Sequence, residues 1–470
     1  MRSAWFLLFY FLLSTTASSL SEFQENESAE KLSGIHLNIY HTRRHDSSVT
    51  SKSPFAILTD ILATDEERIK VLHSRLVNRK TGTEAASSSA SYRHRQGVLK
   101  KPIGIPLNPG STIGSGNYYV KVGIGSPVKY YAMLMDTGSS FSWLQCQPCS
   151  IYCYSQIDPL FDPSASKTYK KLTCSTTECS LIKDATLNEP FCQANSNTCI
   201  YTASYGDTSF SEGYLSQDLL TLAPSESLPR FIYGCGQDNQ GLFGRAAGIL
   251  GLARDKLSML AQVSTKYGYA FSYCLPSAFP ISSRGGQGGV LSIGNTSLSP
   301  SIPYKFTPLI KNSFNPSLYF LSLTAITVAN KPLGVGAANY KVPTIIDSGT
   351  VITRLPSPVY TALQKSFVQI MSKKYAQAPE FSILDTCFKA NLNSALAVPE
   401  IKLIFQGGAD LSLGAHNILI EANKGVVCLA FAPISGSNQI AIIGNHQQQT
   451  FKVAYDISKS RIGFAPGGCR

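Results

Sequence analysis

The feature that most constrains this chain is a repeat. Met133-Leu134-Met135-Asp136-Thr137-Gly138-Ser139 recurs in kind as Thr344-Ile345-Ile346-Asp347-Ser348-Gly349-Thr350. Each copy is an apolar run of buried-strand type that delivers an aspartate into a glycine turn, with hydroxyl residues on both sides of the glycine. One Asp-[Ser/Thr]-Gly-[Ser/Thr] tetrapeptide arises by chance in roughly a few per cent of chains this long. Two copies, 211 positions apart (347 − 136) and both after apolar runs, are far rarer. Each copy also has an echo: Ala247-Gly248-Ile249-Leu250-Gly251 follows the first and Ala441-Ile442-Ile443-Gly444 the second. A surface Asx turn that caps a strand explains either copy alone. A duplicated β lobe explains both together with their echoes.

Placed face to face, two such turns do chemistry. Two close carboxylates cannot both ionise cheaply, so they share a proton at mildly acid pH. The ionised member acts as general base toward a water while the protonated one polarises a carbonyl. Gly138 and Gly349 let the backbones approach, the hydroxyls of Ser139 and Thr350 hold the outer carboxylate oxygens, and Thr137 and Ser348 cross-link the turns.

The rest of the chain fits an all-β reading. Of 470 residues 43% are apolar and 15% charged, which supplies a core and excludes disorder for most of the length. Short strand-like runs, bounded by Gly, Pro, Ser and Asp, cover Tyr118 to Ile124, Tyr131 to Met135, Leu215 to Leu222, Phe231 to Gly234 and Phe271 to Leu275. They resume at Tyr319 to Val328, Thr344 to Ile346, Ile401 to Phe405, Val426 to Phe431 and Phe451 to Asp456. Two segments read as helices: Val359, Leu363, Phe367 and Ile370 after a Ser357-Pro358 start, and Leu257 to Val263, ending near Gly268.

The first hundred residues differ. A basic start, an apolar run from Trp5 to Leu13 and small residues at Ala17-Ser18-Ser19 make a signal peptide over 1–19. Residues 20–113 hold five of the seven histidines and no cysteine; Leu58, Ile61, Leu62, Ile69, Leu72 and Leu76 recur there at helical spacing among charges. A propeptide fits, with a helix to cover the mature surface and an exposed tether; a plain disordered arm is the alternative. Protonation of His36, His41, His45, His73 and His94 near pH 6 is one way to loosen it, with solvated histidines the alternative. Two lobes then follow, 114–302 and 303–470.

All 12 cysteines lie between Cys146 and Cys469, an even number in an exported chain, which indicates six disulfides. A zinc ribbon at Cys146-Gln-Pro-Cys149 lacks a second CxxC and nearby histidines, so neither metal nor cofactor is expected. No second apolar segment long enough to span a bilayer follows the signal run. Asn295-Thr296-Ser297 is a glycosylation sequon in a turn, and the Gly285 to Gly289 run follows no phosphate-loop pattern.

At these residues the chain resembles the pepsin-like aspartic proteases, across about Asn117 to Cys469. The resemblance implies a bilobal all-β fold with a few short helices, Asp136 and Asp347 as the catalytic pair, and polypeptide substrates for a monomer. It further implies Tyr205, Gly206 and Asp207 as the tip of a flap over substrate, with Trp143 as partner of the flap tyrosine. Thr208 stands where these relatives usually carry glycine, which puts flap mobility in question. The insert with Cys146, Cys149, Cys153, Phe161-Asp162-Pro163-Ser164, Cys174 and Cys179 is similar to that of the plant atypical, nepenthesin-type group, nearest the chloroplast nucleoid DNA-binding members. That group implies six disulfides: Cys146–Cys149, Cys153–Cys235, Cys174–Cys199, Cys179–Cys192, Cys274–Cys469 and Cys387–Cys428.

The lead expectation is a secreted zymogen of an endopeptidase active at acid to mildly acid pH. The apoplast is its expected destination, with vacuole or plastid as alternatives. Non-catalytic inhibitors on the same scaffold form the runner-up, although they generally carry damaged aspartate motifs and both are intact here. The net charge of +12 raises DNA or another polyanion as a further partner. It divides into +4 over 1–113 (14 − 10) and +8 over the remainder (27 − 19), without a dense basic run.

Overall fold

The computed structural model describes residues 54–78, 103–109, 116–205, 209–241, 243–277, 288–392, 396–434 and 440–469. The expected signal peptide and tether, four of the five N-terminal histidines, most of the Gly285 to Gly289 run and the expected flap-tip residues Gly206 and Asp207, with Thr208, lie outside them.

The duplication read from the sequence is visible in strand pairing. Lys129–Asp136 runs parallel to Gly248–Gly251, with Met135 opposite Leu250 and Asp136 opposite Gly251. In the second half Thr344–Ile346 runs parallel to Ala441–Ile443, with Ile346 opposite Ile443. Each aspartate is thus carried by a strand whose parallel neighbour is the apolar-apolar-Gly echo. The echo strands and Thr344–Ile346 are buried throughout, as continuous apolar runs predict for strands covered on both faces.

A shared antiparallel sheet ties the halves together. Its strands run in the order Lys305–Pro308, Arg461–Ala465, Lys452–Asp456, Ala270–Cys274, Gly289–Ile293, Ile103–Pro109. Ala270–Cys274 belongs to the first half and Lys452–Asp456 to the second, and Cys274–Cys469 bonds the same junction. Ile103–Pro109 precedes the expected start of the first lobe at 114. It pairs with Gly289–Ile293 along 103–107 and with Tyr118 and Tyr119 at its end, so it is part of the sheet.

The two expected helices form as Met259–Tyr267, capped by Ser258 and ended at Gly268, and Ser357–Met371, whose cap is Pro356, one residue before the expected Ser357. A third, Pro54–Asn78, is the N-terminal amphipathic segment. Its Leu62 packs with Ile352, Leu384 and Ile420, and its Ile69 and Leu72 with Leu318, Phe320, Ile345 and Ile442. Those partners come from the second half and include the strands that position Asp347.

Two of the six expected disulfides form as the resemblance implies. Cys274 bonds Cys469, and Cys387 bonds Cys428. Cys387 and Cys428 sit directly opposite each other where Cys387–Lys389 pairs antiparallel with Val426–Leu429, at a Cα separation of 4.0 Å. The other four are corrected. Cys146 bonds Cys235 and Cys149 bonds Cys153, while Cys174 bonds Cys192 and Cys179 bonds Cys199. For the first of these the reason is strand register. Trp143–Gln145 lies parallel to Gly234–Gly236, which brings Cys146 and Cys235 to a Cα separation of 5.4 Å. Further on, the sulfurs of Cys174, Cys179 and Cys199 lie within 4.8 Å of one another, and Cys192 faces Cys199 across a hairpin. Spacing in the sequence brings such cysteines together but does not choose partners inside the cluster.

Asn295 sits on a short 3-10 turn with its side chain packed on Gly268 and its Oδ1 enclosed.

Candidate active site

The strands that carry the repeat converge, and the two aspartates meet at their ends. Asp136 is 2% exposed and Asp347 fully buried. The turns hold them alike. Gly138 N–H donates to Asp136 Oδ1 at 2.9 Å, and the Ser139 hydroxyl donates to Asp136 Oδ2. In the other turn Gly349 N–H donates to Asp347 Oδ1 at 3.1 Å, and Thr350 Oγ1 donates to Asp347 Oδ2 at 2.7 Å. A backbone N–H and a hydroxyl therefore fix each carboxylate in the same way.

The cross-link is reciprocal. Thr137 N–H donates to Ser348 Oγ at 3.1 Å and Ser348 N–H donates to Thr137 Oγ1 at 2.9 Å. The Ser348 hydroxyl itself donates to Met135 O at 3.1 Å, while Thr137 Oγ1 lies 3.4 Å from Asp347 Oδ1. The second turn also rests on the buried helix Asn445–Gln448, where Asn445 N–H donates to Thr350 O and Gln448 Nε2 to Ile443 O. The glycines are required by the approach of the turns: a Cβ at Gly349 would come within 2.4 Å of Asp136 Oδ1, and one at Gly138 within 2.9 Å of Asp347 Oδ1.

Sequence reasoning missed the group that fills this site. Arg68, from the helix Pro54–Asn78, reaches both carboxylates at once. Its Nη2 donates to Asp136 Oδ1 at 2.7 Å and to Asp347 Oδ2 at 2.9 Å. Its Nη1 donates to Asp136 Oδ2 and its Nε to Asp347 Oδ2, both at 3.1 Å. Burial pushes the Asp136 carboxyl up, but the Arg68 charge, the bonds from Arg68 and Ser139 and the Gly138 N–H outweigh it and hold that carboxyl below the ordinary range. Burial works against the charge of Arg68 as well, yet the two aspartates leave it more firmly protonated than usual.

The same helix makes a second polar contact one turn earlier. Asp65 is buried against Val351 N–H, Ile352 N–H and the Arg354 guanidinium. Burial dominates at Asp65 and raises its carboxyl, with Arg354 and the two N–H groups pulling it back in part. Further along, His73 Nε2 lies 3.1 Å from Ile440 O and 3.3 Å from Ile440 N, and burial lowers its pKa. A signal for these residues exists in the sequence: Ile61, Asp65, Arg68 and Leu72 fall at i, i+4, i+7 and i+11, which puts two charges on the apolar stripe.

Near the first turn, Trp143 and Tyr205 are brought together as expected: Trp143 Nε1 donates to the Tyr205 hydroxyl at 2.6 Å. Phe243 stacks edge-on against both rings, at centroid distances of 5.0 and 5.5 Å. Trp143 is fully buried, so the tyrosine hydroxyl is tied to a fixed base.

Comparison with known proteins places these features in a group. Family models described as xylanase inhibitor N-terminal and xylanase inhibitor C-terminal match residues 118–295 and 318–466. An aspartyl protease family protein of Arabidopsis thaliana is 41% identical over 92% of this chain and 87% of its own length. Aspartic proteinase nepenthesin-2 of Nepenthes gracilis is 36% identical over 76% of this chain and 78% of its own. Among solved structures, soybean basic 7S globulin superposes with a TM-score of 0.60 at 22% identity, covering 78% of this chain and 96% of its own, a likeness of fold.

Proposed function

We propose, from the premise that this chain belongs to the plant family of pepsin-like aspartic proteases and is an aspartic-type endopeptidase acting on polypeptides, that Asp136 and Asp347 are its catalytic pair and that the helix Pro54–Asn78 keeps it latent. The observation that carries the reading is one guanidinium, from Arg68, shared by two buried carboxylates that face each other. A cation is needed there only because two like charges meet, and it stands where a water and a peptide carbonyl have to sit.

With Arg68 withdrawn, the pair shares a proton. The ionised carboxylate takes a proton from a bound water as the water oxygen bonds to the carbonyl carbon, and the protonated carboxyl gives its proton to the carbonyl oxygen. Collapse of the resulting diol breaks the C–N bond, with a proton delivered to the departing amine. Ser139 and Thr350 hold the outer oxygens and keep both carboxylates aimed inward. Tyr205, tied to Trp143, closes the site from the side of the first lobe.

The segment before Ile103 serves in this reading as a propeptide, with processing between Asn78 and Ile103, since cleavage later would remove a sheet strand. Export through the secretory pathway, with the apoplast as destination, is supported by the signal-like start and the six disulfides. Acidification of the purified full chain should release residues before Ile103 and expose peptidase activity together. Processing without activity, or activity of the intact chain equal to that of the processed one, contradicts the reading. The inhibitor descriptions of the matching family models prompt a non-catalytic alternative, against which stands the intact pair with all of its supporting donors.

A further inference from the structure

Withdrawal of the helix also empties a second place in the cleft. Asp65 is 2% exposed, and the partners of its carboxylate come from the segment just after Asp347. Its Oδ1 accepts from Val351 N–H at 2.5 Å; its Oδ2 accepts from Ile352 N–H at 3.4 Å and from Arg354 Nη2 at 3.0 Å. Arg354 Nη1 meets Glu66 Oε2 at 2.9 Å. The Arg354 side chain is 1% exposed and its Nε is buried without a partner. Among the described residues both carboxylates paired with Arg354 belong to the N-terminal helix.

A guanidinium this deep is costly unless paired, and backbone N–H groups beside it also need an acceptor. Among the described residues the second lobe supplies no carboxylate to Arg354. Yet it fixes the donors firmly: Arg354 lies on Thr353–Pro356, hydrogen-bonded to strands on both sides, and Thr353 is anchored by Gln447. Fixed donors waiting for a planar anion are a preorganised site, and arginine is suited to carboxylate recognition.

We propose that Val351 N–H, Ile352 N–H and the Arg354 guanidinium form a carboxylate-binding subsite of the open cleft, that Asp65 is its occupant in the latent chain, and that the enzyme favours peptides with Asp or Glu near the scissile bond. The inference rests on the reading of the helix as a removable plug. Asp65 and Arg68 are three residues apart on one helix face, a separation of about 5–6 Å between Cβ atoms. Arg68 marks the place of the scissile carbonyl, so in an extended substrate, at about 3.3 Å per residue, the acidic side chain falls within about three residues of it.

The test is a set of peptides scanned with Glu/Gln and Asp/Asn pairs on both sides of the cleaved bond, given to processed wild type above the ordinary carboxylate pKa of about 4. At one position the acidic peptide should have roughly a tenfold or greater advantage in kcat/KM. Arg354→Gln should bring that ratio close to one, and Arg354→Lys should keep part of it. A ratio near one at every position in wild type, or an unchanged ratio in Arg354→Gln, overturns the subsite. A binding measurement covers a variant that fails to fold or a wild type that cleaves nothing. The labelled peptide of residues 54–78 should bind the processed wild-type chain at least about tenfold more tightly than its Asp65→Asn form, and equal binding overturns the proposal. Absence of all cleavage would count against the proposed function, whereas cleavage without acidic preference counts against this subsite alone.

Discussion

Replacing Arg68 by methionine removes the charge while keeping much of the side-chain volume. In the docked state Arg68 makes four charge-assisted bonds, between 2.7 and 3.1 Å, and its side chain is 17% exposed. Breaking a buried ion pair by removing one partner costs about 3–5 kcal/mol, and partial exposure favours the lower figure. The loss of about 3 kcal/mol weakens docking roughly 150-fold. Leu62, Ile69 and Leu72 continue to hold the helix by apolar burial, so the variant opens more often without losing its fold. The assay is the initial rate of peptide cleavage by intact, unprocessed chain at the mildly acid pH where the pair shares a proton, with gels to show that processing has not begun. Arg68→Met should raise that rate by one to two orders of magnitude at about 3 kcal/mol lost. Arg68→Lys should raise it less, because a point charge does not span both carboxylates as a planar fork does. An intact Arg68→Met chain as latent as wild type would refute the account of latency.

Three further outcomes are expected. Asp136 is held low while docked, so its contribution to docking is present above its free-state pKa and is lost as pH falls through the docked value. His73 is also lowered, so docking weakens further as pH drops below about 6.5; Asp65 is raised and works in the opposite sense. Processing should accelerate on acidification through this window, and His73→Gln should remove the upper part of the profile; a pH-independent rate contradicts the signs. Trp143→Phe deletes the donor to Tyr205 and should lower kcat/KM several-fold, for about 1 kcal/mol, with thermal stability as the control for packing loss. A peptide map of the non-reduced protein should recover Cys146–Cys235, Cys149–Cys153, Cys174–Cys192 and Cys179–Cys199 beside Cys274–Cys469 and Cys387–Cys428; recovery of Cys146–Cys149 with Cys153–Cys235 would restore the nested pattern.

The strands around the aspartates were legible because most of their length is buried. The runs before Asp136 and Asp347 are short, apolar and turn-bounded, and the structure pairs each with its own echo. The contacts of the aspartates with Gly138, Ser139, Gly349 and Thr350 were legible too, since they are local to the turn. What escaped was long-range or locally disguised. Ile103–Pro109 carries two prolines and a glycine, which argue against a strand, yet it pairs along one edge with Gly289–Ile293. Arg68 reads as one charge among many on an amphipathic helix, and its target lies 68 and 279 positions away. The partner of Cys146 depends on register between strands that sequence spacing does not set.

The central claim is that one carboxylate from each half performs the hydrolysis. The most direct measurement is the cleavage rate of processed Asp136→Asn and processed Asp347→Asn, prepared with wild-type help for processing and checked for unchanged thermal stability. Each should fall by at least roughly a thousandfold, because an amide neither takes the proton from water nor gives one to the carbonyl oxygen. Retention of substantial activity by either variant would contradict the account.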